Sequence, residues 1–234
     1  QRIAREAVDS GFQNLVLETS AHALSQQRVR AVDFDAAVFT NLSHDHFDYF
    51  SNQQRYLAAK LKLFEQLKSS AVAIVNLDDV QAPRFIEATQ ADVLTFSMRV
   101  NADLTAEIID MGPTGTTAHF ITPQGEVEMK LRMPGSFYIE NALAVFGVGL
   151  VAGIELDVIK SRLEAIEHIA GRFDRYWSNS GFAVVIDFAH SPDSLKRMLE
   201  TLTGFYKRVI TIFGCGGDAD REKRQEMGRL SGRL

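Results

Sequence analysis

The sequence predicts an α/β fold: a mostly parallel sheet, then a small antiparallel meander, then the start of a second α/β domain. Short apolar runs separated by helical patterns, as at 36–39, 71–76 and 93–96, are typical of buried parallel strands. Three alternating runs between 104 and 133 are punctuated by glycine and proline and indicate a meander. The strand, polar turn and helix-start pattern returns after residue 171 and predicts the second domain.

Composition limits the possible classes of protein. The chain has 234 residues, 46% of them hydrophobic, which suits one large domain or two modest ones. A net charge of −5 without a basic run argues against a nucleic-acid partner. The single Cys215 fits a reducing compartment, and no apolar stretch reaches membrane-spanning length. Because the chain starts at Gln1 and stops inside a helical pattern, we expect an internal fragment of a longer protein.

The first candidate ligand follows an apolar run near the N-terminus. Residues 1–10 are predicted to end a helix closed by Gly11, and Leu15–Leu17 to form a strand ending at Glu18. Glu18 and the later His46 would then lie at the ends of neighbouring strands and face one cleft. Such a pair suits magnesium, which prefers oxygen ligands and keeps several waters. The alternative is that Glu18 is a helix-capping or solvated carboxylate.

The turn after the predicted strand Ala36–Phe39 concentrates polar side chains where α/β sheets bind ligands. A zinc cluster of His44, His46 and Asp48 is one interpretation, as in metallo-β-lactamase-like hydrolases, although Tyr49 stands where that pattern has another histidine. There are two other interpretations of this turn. In one, His46 alone is a magnesium ligand; in the other, the segment is a simple polar surface turn. His119, in an alternating strand, is predicted to be structural, which counts against the hydrolase.

The elements that follow are predicted from periodicity. Ser51–Leu67 shows apolar residues at helical spacing and carries Lys60. The Asp78-Asp79 pair is predicted to start a helix after the strand at 71–76. Later apolar runs, Phe182–Ile186 and Val209–Phe213, are predicted as strands, the first of them central in its sheet.

Several separated segments, in the same order, resemble the Mur ligases. The matches are most similar to the branch that adds the third residue of the peptidoglycan stem peptide. The matching segments are Glu18-Thr19-Ser20-Ala21-His22-Ala23-Leu24 with Arg28-Val29, Thr40–Tyr49, Tyr56–Lys60, Gly135–Ala144, Gly171–Asp174, Asp187–Leu195 and Gly214–Gly228. Three positions depart from the family pattern: Ala21, Tyr138 and Ala219.

The resemblance implies a magnesium and substrate site. Glu18, His46 and Lys60 would be the catalytic and metal-binding residues, with Lys60 carbamylated so that it holds a metal as an anion. Ser20 and Arg28 would contact the UDP-muramoyl-dipeptide, because the planar fork of arginine suits a carboxylate.

The resemblance also implies a nucleotide site and two domains. Asn141 would contact the adenine of ATP and Arg172 its phosphates, while Asp187 and Ser191 would bind nucleotide from the second domain. Residues 1–168 would form the central ATP-binding domain, with a boundary near 167–171. Residues 169–234 would start a Rossmann-like C-terminal domain.

The implied activity is ATP-dependent amide ligation through an acyl phosphate. A diamino acid, meso-diaminopimelate or L-lysine, would be added to UDP-N-acetylmuramoyl-L-alanyl-D-glutamate with ATP and Mg²⁺ as cofactors. We expect a bacterial cytoplasmic monomer without a membrane partner. The alternatives are the metal-dependent hydrolase and a non-catalytic nucleotide-binding fragment. Since the family's phosphate loop is missing, we expect the 234-residue chain alone to bind ATP poorly and form no amide.

Overall fold

A computed structural model describes residues 2–43, 47–216 and 221–234. Helices and strands alternate through the first part of the chain, a meander follows, and the C-terminal part contains a hairpin and two helices. The elements are α1 (Arg2–Asp9), α2 (Ala21–Ser25), β1 (Ala36–Phe39), α3 (Phe47–Phe50), α4 (Gln53–Glu65), β2 (Val72–Asn76), α5 (Ala82–Glu87), β3 (Asp92–Ser97), β4 (Leu104–Gly112), β5 (Gly115–Thr122), β6 (Gly125–Leu131), α6 (Ser136–Val151), α7 (Leu156–Glu164), β7 (Asp174–Trp177), β8 (Ala183–Ile186), α8 (Pro192–Phe205) and α9 (Glu222–Arg233).

One six-stranded sheet organises the chain, with its strands in sequence order from β1 to β6. The first four strands are parallel and the last three pair antiparallel. The meander is therefore continuous with the parallel sheet, joined where Phe96 pairs with Leu104. The predicted fold class, a mostly parallel sheet with a small antiparallel meander, is confirmed.

Helices cover both faces of the parallel strands. α6 packs against strands β1 to β5 and shares one apolar core with them, while α4 and α5 share the core on the opposite face. Gly147 lets α6 approach closely, because a Cβ there would lie 2.9 Å from Cγ2 of Ile74. Strand β2 is buried on both sides, as parallel strands covered by helices are.

The long helix α4 begins two residues later than its predicted start. Ser51 has a φ of 63° and Asn52 is extended, so neither continues a helix. The Asn52 side chain instead caps α4 by accepting a hydrogen bond from the Arg55 amide at 2.9 Å. The buried face of α4 includes Tyr56 and Phe64, in agreement with the predicted periodicity.

Two predicted strands are wrong. Leu15–Leu17 and Val209–Phe213 are irregular, and no β-ladder among the described residues includes them. Most of their side chains face solvent, with Val16 89% and Ile212 94% exposed. A strand needs hydrogen-bonded neighbours, and an apolar run without them does not adopt the extended ladder.

The C-terminal part has much less regular structure within the described ranges. β7 and β8 form a two-stranded antiparallel hairpin, so the prediction that 182–186 is a central strand is wrong. Helices α8 and α9 pack through a small cluster of Leu195, Leu199 and Met227. In the described parts of the chain, every helix is too short or too polar to cross a membrane.

Candidate functional site

The turn that follows β1 is anchored by polar side chains at the end of β2 and just after it. The carbonyl of Thr40 accepts a hydrogen bond from Nδ2 of Asn76 at 2.8 Å, and the Leu42 amide donates to Oδ2 of Asp79 at 2.7 Å. These bonds fix the chain immediately before residues 44–46. The turn singled out in the sequence is thus held from the neighbouring strand.

A second contact joins the ends of β2 and β3. Asp78 accepts hydrogen bonds from the Ser97 hydroxyl at 2.5 Å and the Met98 amide at 2.9 Å. The prediction that Asp78-Asp79 starts a helix is therefore wrong, since α5 begins at Ala82 and both carboxylates tie loops together. Asn and Asp directly after a buried strand form such local turns, and that signal could have been read from the sequence.

Lys60 reaches the same turn from α4. Its Nζ lies 3.4 Å from the carbonyl oxygen of Asn41 and 5.3 Å from the centroid of the Tyr56 ring. The other predicted ligand, His46, and the neighbouring His44 lie outside the described residues. Among the residues that are described, no three His, Cys, Asp or Glu side chains cluster as metal ligands do. The zinc interpretation of His44, His46 and Asp48 has no described geometry to support it.

Glu18 lies in the irregular segment before α2 and is exposed. Its carboxylate forms no hydrogen bond or ion pair with any described residue. It is therefore free to take a ligand. A magnesium site of Glu18, His46 and Lys60 stays a prediction.

The two predicted substrate residues flank the short helix α2. Ser20 caps that helix, its Oγ accepting a hydrogen bond from the Ala23 amide at 3.2 Å. Arg28 is exposed beyond the C-terminal end of α2. Ala21, one of the three positions that depart from the family pattern, has its side chain buried in the apolar core.

Tyr49 links this region to the turn after β1. Its hydroxyl lies 3.4 Å from both Oγ of Ser25 and Nε2 of Gln26. The hydrogen bond with Ser25, then that with Gln26 and the charge of Arg28, lower the pKa of Tyr49. Sequence reasoning assigned Tyr49 no role beyond the missing zinc ligand.

The predicted adenine contact lies near the start of α6. Asn141 is exposed, and its amide forms no hydrogen bond with the described residues. One turn earlier, the buried Tyr138 donates its hydroxyl hydrogen to the carbonyl oxygen of Arg172 at 2.7 Å. Burial, and secondarily the charge of Asp187, raise the pKa of Tyr138, so the hydroxyl stays protonated and remains a donor.

Arg172 sits in the connection between α7 and β7. Its guanidinium carbon lies 4.7 Å from the centroid of the Phe188 ring, a cation–π contact. Asp187 accepts hydrogen bonds from the amides of Phe173 and Ala189, both at 2.7 Å. The structure thus brings Arg172 and Asp187 close together, with Asp187 holding the backbone of the residue after Arg172.

Ser191 is the N-cap of α8. Its side chain accepts from the Ser194 amide at 3.3 Å, and Ser194 in turn bonds the Ser191 amide at 3.0 Å. This reciprocal pair is a capping box. Both Asp187 and Ser191 are therefore engaged by backbone groups, whereas Asn141 and the guanidinium of Arg172 keep hydrogen-bonding groups available for a ligand such as a nucleotide.

Comparison with known proteins identifies the family. The family model described as Mur ligase middle domain matches residues 1–149, and the model described as Mur ligase, glutamate ligase domain matches residues 171–234. The chain belongs to the Mur ligase family. The predicted domain limits of 1–168 and 169–234 are not tested by these matches and stay a prediction.

Curated relatives of the Mur ligase family match the whole chain. The chain is 36% identical over 238 residues to the UDP-N-acetylmuramoyl-L-alanyl-D-glutamate--2,6-diaminopimelate ligase of Bacillus licheniformis, covering 99% of the chain and 49% of the relative. It is 39% identical over 236 residues to the protein of the same name from Gloeobacter violaceus, covering 100% and 48%. The chain therefore spans about half the length of these relatives.

Solved Mur ligase structures share the fold. A structure of a UDP-N-acetylmuramoyl-L-alanyl-D-glutamate--2,6-diaminopimelate ligase superposes with a TM-score of 0.72 at 32% identity, over 95% of this chain and 47% of that one. MurF from Acinetobacter baumannii gives 0.78 at 23% identity, over 87% and 45%. MurF from Thermotoga maritima, solved in complex with ADP, gives 0.69 at 20%, over 88% and 48%. The last two establish the fold alone.

Proposed function

We propose that the protein containing this chain is an ATP-dependent ligase that joins diaminopimelate to UDP-N-acetylmuramoyl-L-alanyl-D-glutamate in the bacterial cytoplasm. The observation that carries the proposal is that the whole chain matches about half the length of ligases of that name, at 36% to 39% identity. Those names favour diaminopimelate over lysine, which the sequence motifs left open. The metal-hydrolase alternative loses its support, because both halves of the chain match Mur ligase models.

The nucleotide would be bound across the start of α6 and the turn at Arg172. The exposed Asn141 can donate to and accept from adenine at once, since an amide carries both functions. The Arg172 guanidinium can pair with phosphate oxygens while its face stacks on Phe188. In this proposal Asp187 and Ser191 act by holding the backbone of the second domain beside the nucleotide.

The UDP-muramoyl-dipeptide, which supplies the acyl group, would be bound near α2. Arg28 is exposed and offers two parallel hydrogen bonds to a substrate carboxylate. Ser20, at the N-cap, retains hydroxyl capacity for a second contact beyond its bond to Ala23. The substrate carboxylate would attack the γ-phosphate of ATP, releasing ADP, and the amine would then attack the acyl carbon and release phosphate.

Glu18, His46 and a carbamylated Lys60 would hold Mg²⁺, whose charge neutralises the phosphate oxygens when it is bound. The proposal is supported by the position of Lys60, whose Nζ lies beside the carbonyl of Asn41, five residues before His46 in the sequence. An unmodified ammonium would repel a cation there, which is why carbamylation belongs to the proposal. We also propose that the protein acts as a monomer.

The test is phosphate release by the full-length protein with UDP-N-acetylmuramoyl-L-alanyl-D-glutamate, ATP and magnesium. We expect turnover with meso-diaminopimelate and at least tenfold less with L-lysine, with the tripeptide product identified by mass. Turnover with lysine alone would reassign the amino acid. No amine-dependent turnover with either would refute the ligase.

A further inference from the structure

The first turn of α6 contacts the C-terminal part of the chain at two places. Tyr138 donates to the backbone carbonyl of Arg172 at 2.7 Å. Two residues later, Glu140 accepts a hydrogen bond from the guanidinium of Arg197 on α8 at 2.8 Å. Asn141, the proposed adenine contact, is the next residue. One helical turn therefore carries a nucleotide contact and both links to the region that carries Arg172.

The turn that Tyr138 contacts has an unusual backbone. Gly171 and Phe173 have φ angles of 69° and 50°, both in the left-handed region. For a residue with a bulky side chain such as Phe173 this conformation is strained and persists only when its surroundings enforce it.

Three contacts enforce this backbone. The Phe173 ring is buried in the core shared with α6, and the Phe173 amide bonds Asp187. The Tyr138 hydroxyl bonds the preceding carbonyl of Arg172. Of these, the Tyr138 hydrogen bond links a side chain of α6 directly to Arg172, whose guanidinium is proposed to bind phosphate.

The second link is a partly buried ion pair. The side chains of Arg197 and Glu140 are 33% and 16% exposed, so water screens them less than a surface pair. Asp193, on the same helix α8, lies 3.3 Å from Nε of Arg197. Burial alone lowers the pKa of Arg197, but the nearby carboxylates of Glu140, Asp193 and Glu200 offset this and raise it. The Arg197 guanidinium stays charged, and its hydrogen bond to Glu140 ties α8 to α6.

We propose that Tyr138 and Glu140 are positioning residues for ATP, holding the Arg172 guanidinium at a fixed place relative to Asn141. Tyr138 acts on Arg172 directly through its carbonyl, and Glu140 acts through Arg197 and α8. This inference rests on the proposed ligase function and deepens it, since it assigns a role to Tyr138, one of the positions that depart from the family pattern. Neither side chain touches the reacting atoms.

The test uses the full-length protein with Tyr138→Phe and Arg197→Met. Tyr138→Phe keeps the buried ring and removes only the hydroxyl. Arg197→Met removes the ion pair with Glu140 together with the contact to Asp193 on the same helix. Each is expected to raise the KM for ATP by about three- to tenfold, the effect of one lost hydrogen bond. The KM for UDP-muramoyl-dipeptide should stay within about twofold, because the proposed contacts of that substrate, Ser20 and Arg28, lie elsewhere. Hydrogen exchange should become faster at the amides of residues 171–173.

Matched controls separate positioning from a general loss of stability. Tyr206→Phe removes a buried hydroxyl that has no hydrogen-bond partner among the described residues. Lys196→Met removes an exposed pair with Glu200, whose atoms are 3.8 Å apart on the same helix as Arg197. Neither control should change the KM for ATP.

An ATP KM within twofold of the unsubstituted protein in Tyr138→Phe, or an equal rise in Tyr206→Phe, would overturn the inference. If Tyr138→Phe does not fold, Arg197→Met and its control Lys196→Met decide instead. An ATP KM within twofold of the unsubstituted protein in Arg197→Met, or an equal rise in Lys196→Met, would then overturn the inference. No turnover by the unsubstituted protein would overturn the proposed function and this inference with it. Turnover with an unchanged ATP KM overturns the inference alone.

Discussion

The six-stranded sheet and the C-terminal hairpin contain similarly apolar strands, but the side chains of these strands are buried to very different extents. In β2, Ala73, Ile74 and Val75 are all fully buried between α6 and α4. In β8, the equally apolar Val184 and Ile186 are about half exposed. The difference lies in the neighbours. Helices cover both faces of β2 and strands pair with both of its edges, whereas among the described residues β8 pairs only with β7. Burial, rather than strand propensity, gives the first region its stability.

The two regions also share part of one apolar core. Phe173 and Met198, which belong to the C-terminal part, are buried in the core around α6. The contacts of Tyr138 and Glu140 lie beside them. The proposed nucleotide contacts, Asn141 and Arg172, come one from each side of this junction.

The two regions should differ most in how far the free energy of unfolding falls when a phenylalanine is replaced by alanine. Phe120 is 0% exposed and packs on Phe146, whereas Phe182 is 56% exposed. Phe120→Ala should lower the free energy of unfolding by about 3–5 kcal/mol, through lost burial and a cavity. Phe182→Ala should lower it by less than about 1 kcal/mol. Urea unfolding followed by circular dichroism measures both, and equal losses would contradict the comparison.

A smaller effect is expected at the turn after β1. Asp79→Ala removes acceptors for the amides of Leu42 and Gln81. Leaving these donors unpaired should cost about 1–3 kcal/mol and lower the turnover number, because the turn contains His46. Asp110→Ala, at an exposed position of β4, is the matched control and should change stability by less than about 0.5 kcal/mol. Full turnover in Asp79→Ala would show that this anchor is dispensable for the site.

The smallest stability effect is expected at the start of α8. Ser191→Ala should cost about 1 kcal/mol, the usual value of a helix N-cap. If Ser191 acts only through this cap, the KM for ATP should stay within about twofold. Ser180→Ala, in the exposed turn between β7 and β8, should change neither quantity. A large rise in the KM for ATP at unchanged stability would make Ser191 a direct nucleotide contact.

The parallel sheet could be predicted from the sequence because each of its apolar runs finds neighbours. The bounds of β1 match the prediction, and the meander strands differ from it only by a few residues at each end. The same reasoning failed at 15–17 and 209–213, which are as apolar but lack a ladder partner among the described residues. Pattern alone cannot report whether a partner strand is present.

The site was predicted less completely than the fold. Motif similarity named Asn141, Arg172, Asp187 and Ser191, and the structure brings Arg172 and Asp187 together. Tyr138 carried no assignable role, because its partner Arg172 lies 34 residues away and is a backbone carbonyl. A contact of that kind leaves no signal in local spacing. The anchoring roles of Asp78 and Asp79 were missed for the opposite reason, since their local turn signal was read as a helix start.

The central claim is that one nucleotide is bound by groups from both regions. Its most direct test is calorimetric titration of the full-length protein with a non-hydrolysable ATP analogue and magnesium, comparing Asn141→Ala, Arg172→Met and the exposed α9 control Arg229→Met. We predict that Asn141→Ala and Arg172→Met each weaken binding by about tenfold, as expected for the loss of hydrogen bonds to the ligand, some of them charge-assisted. Arg229→Met should bind normally. Unchanged affinity in either Asn141→Ala or Arg172→Met would contradict a nucleotide site shared by the two regions.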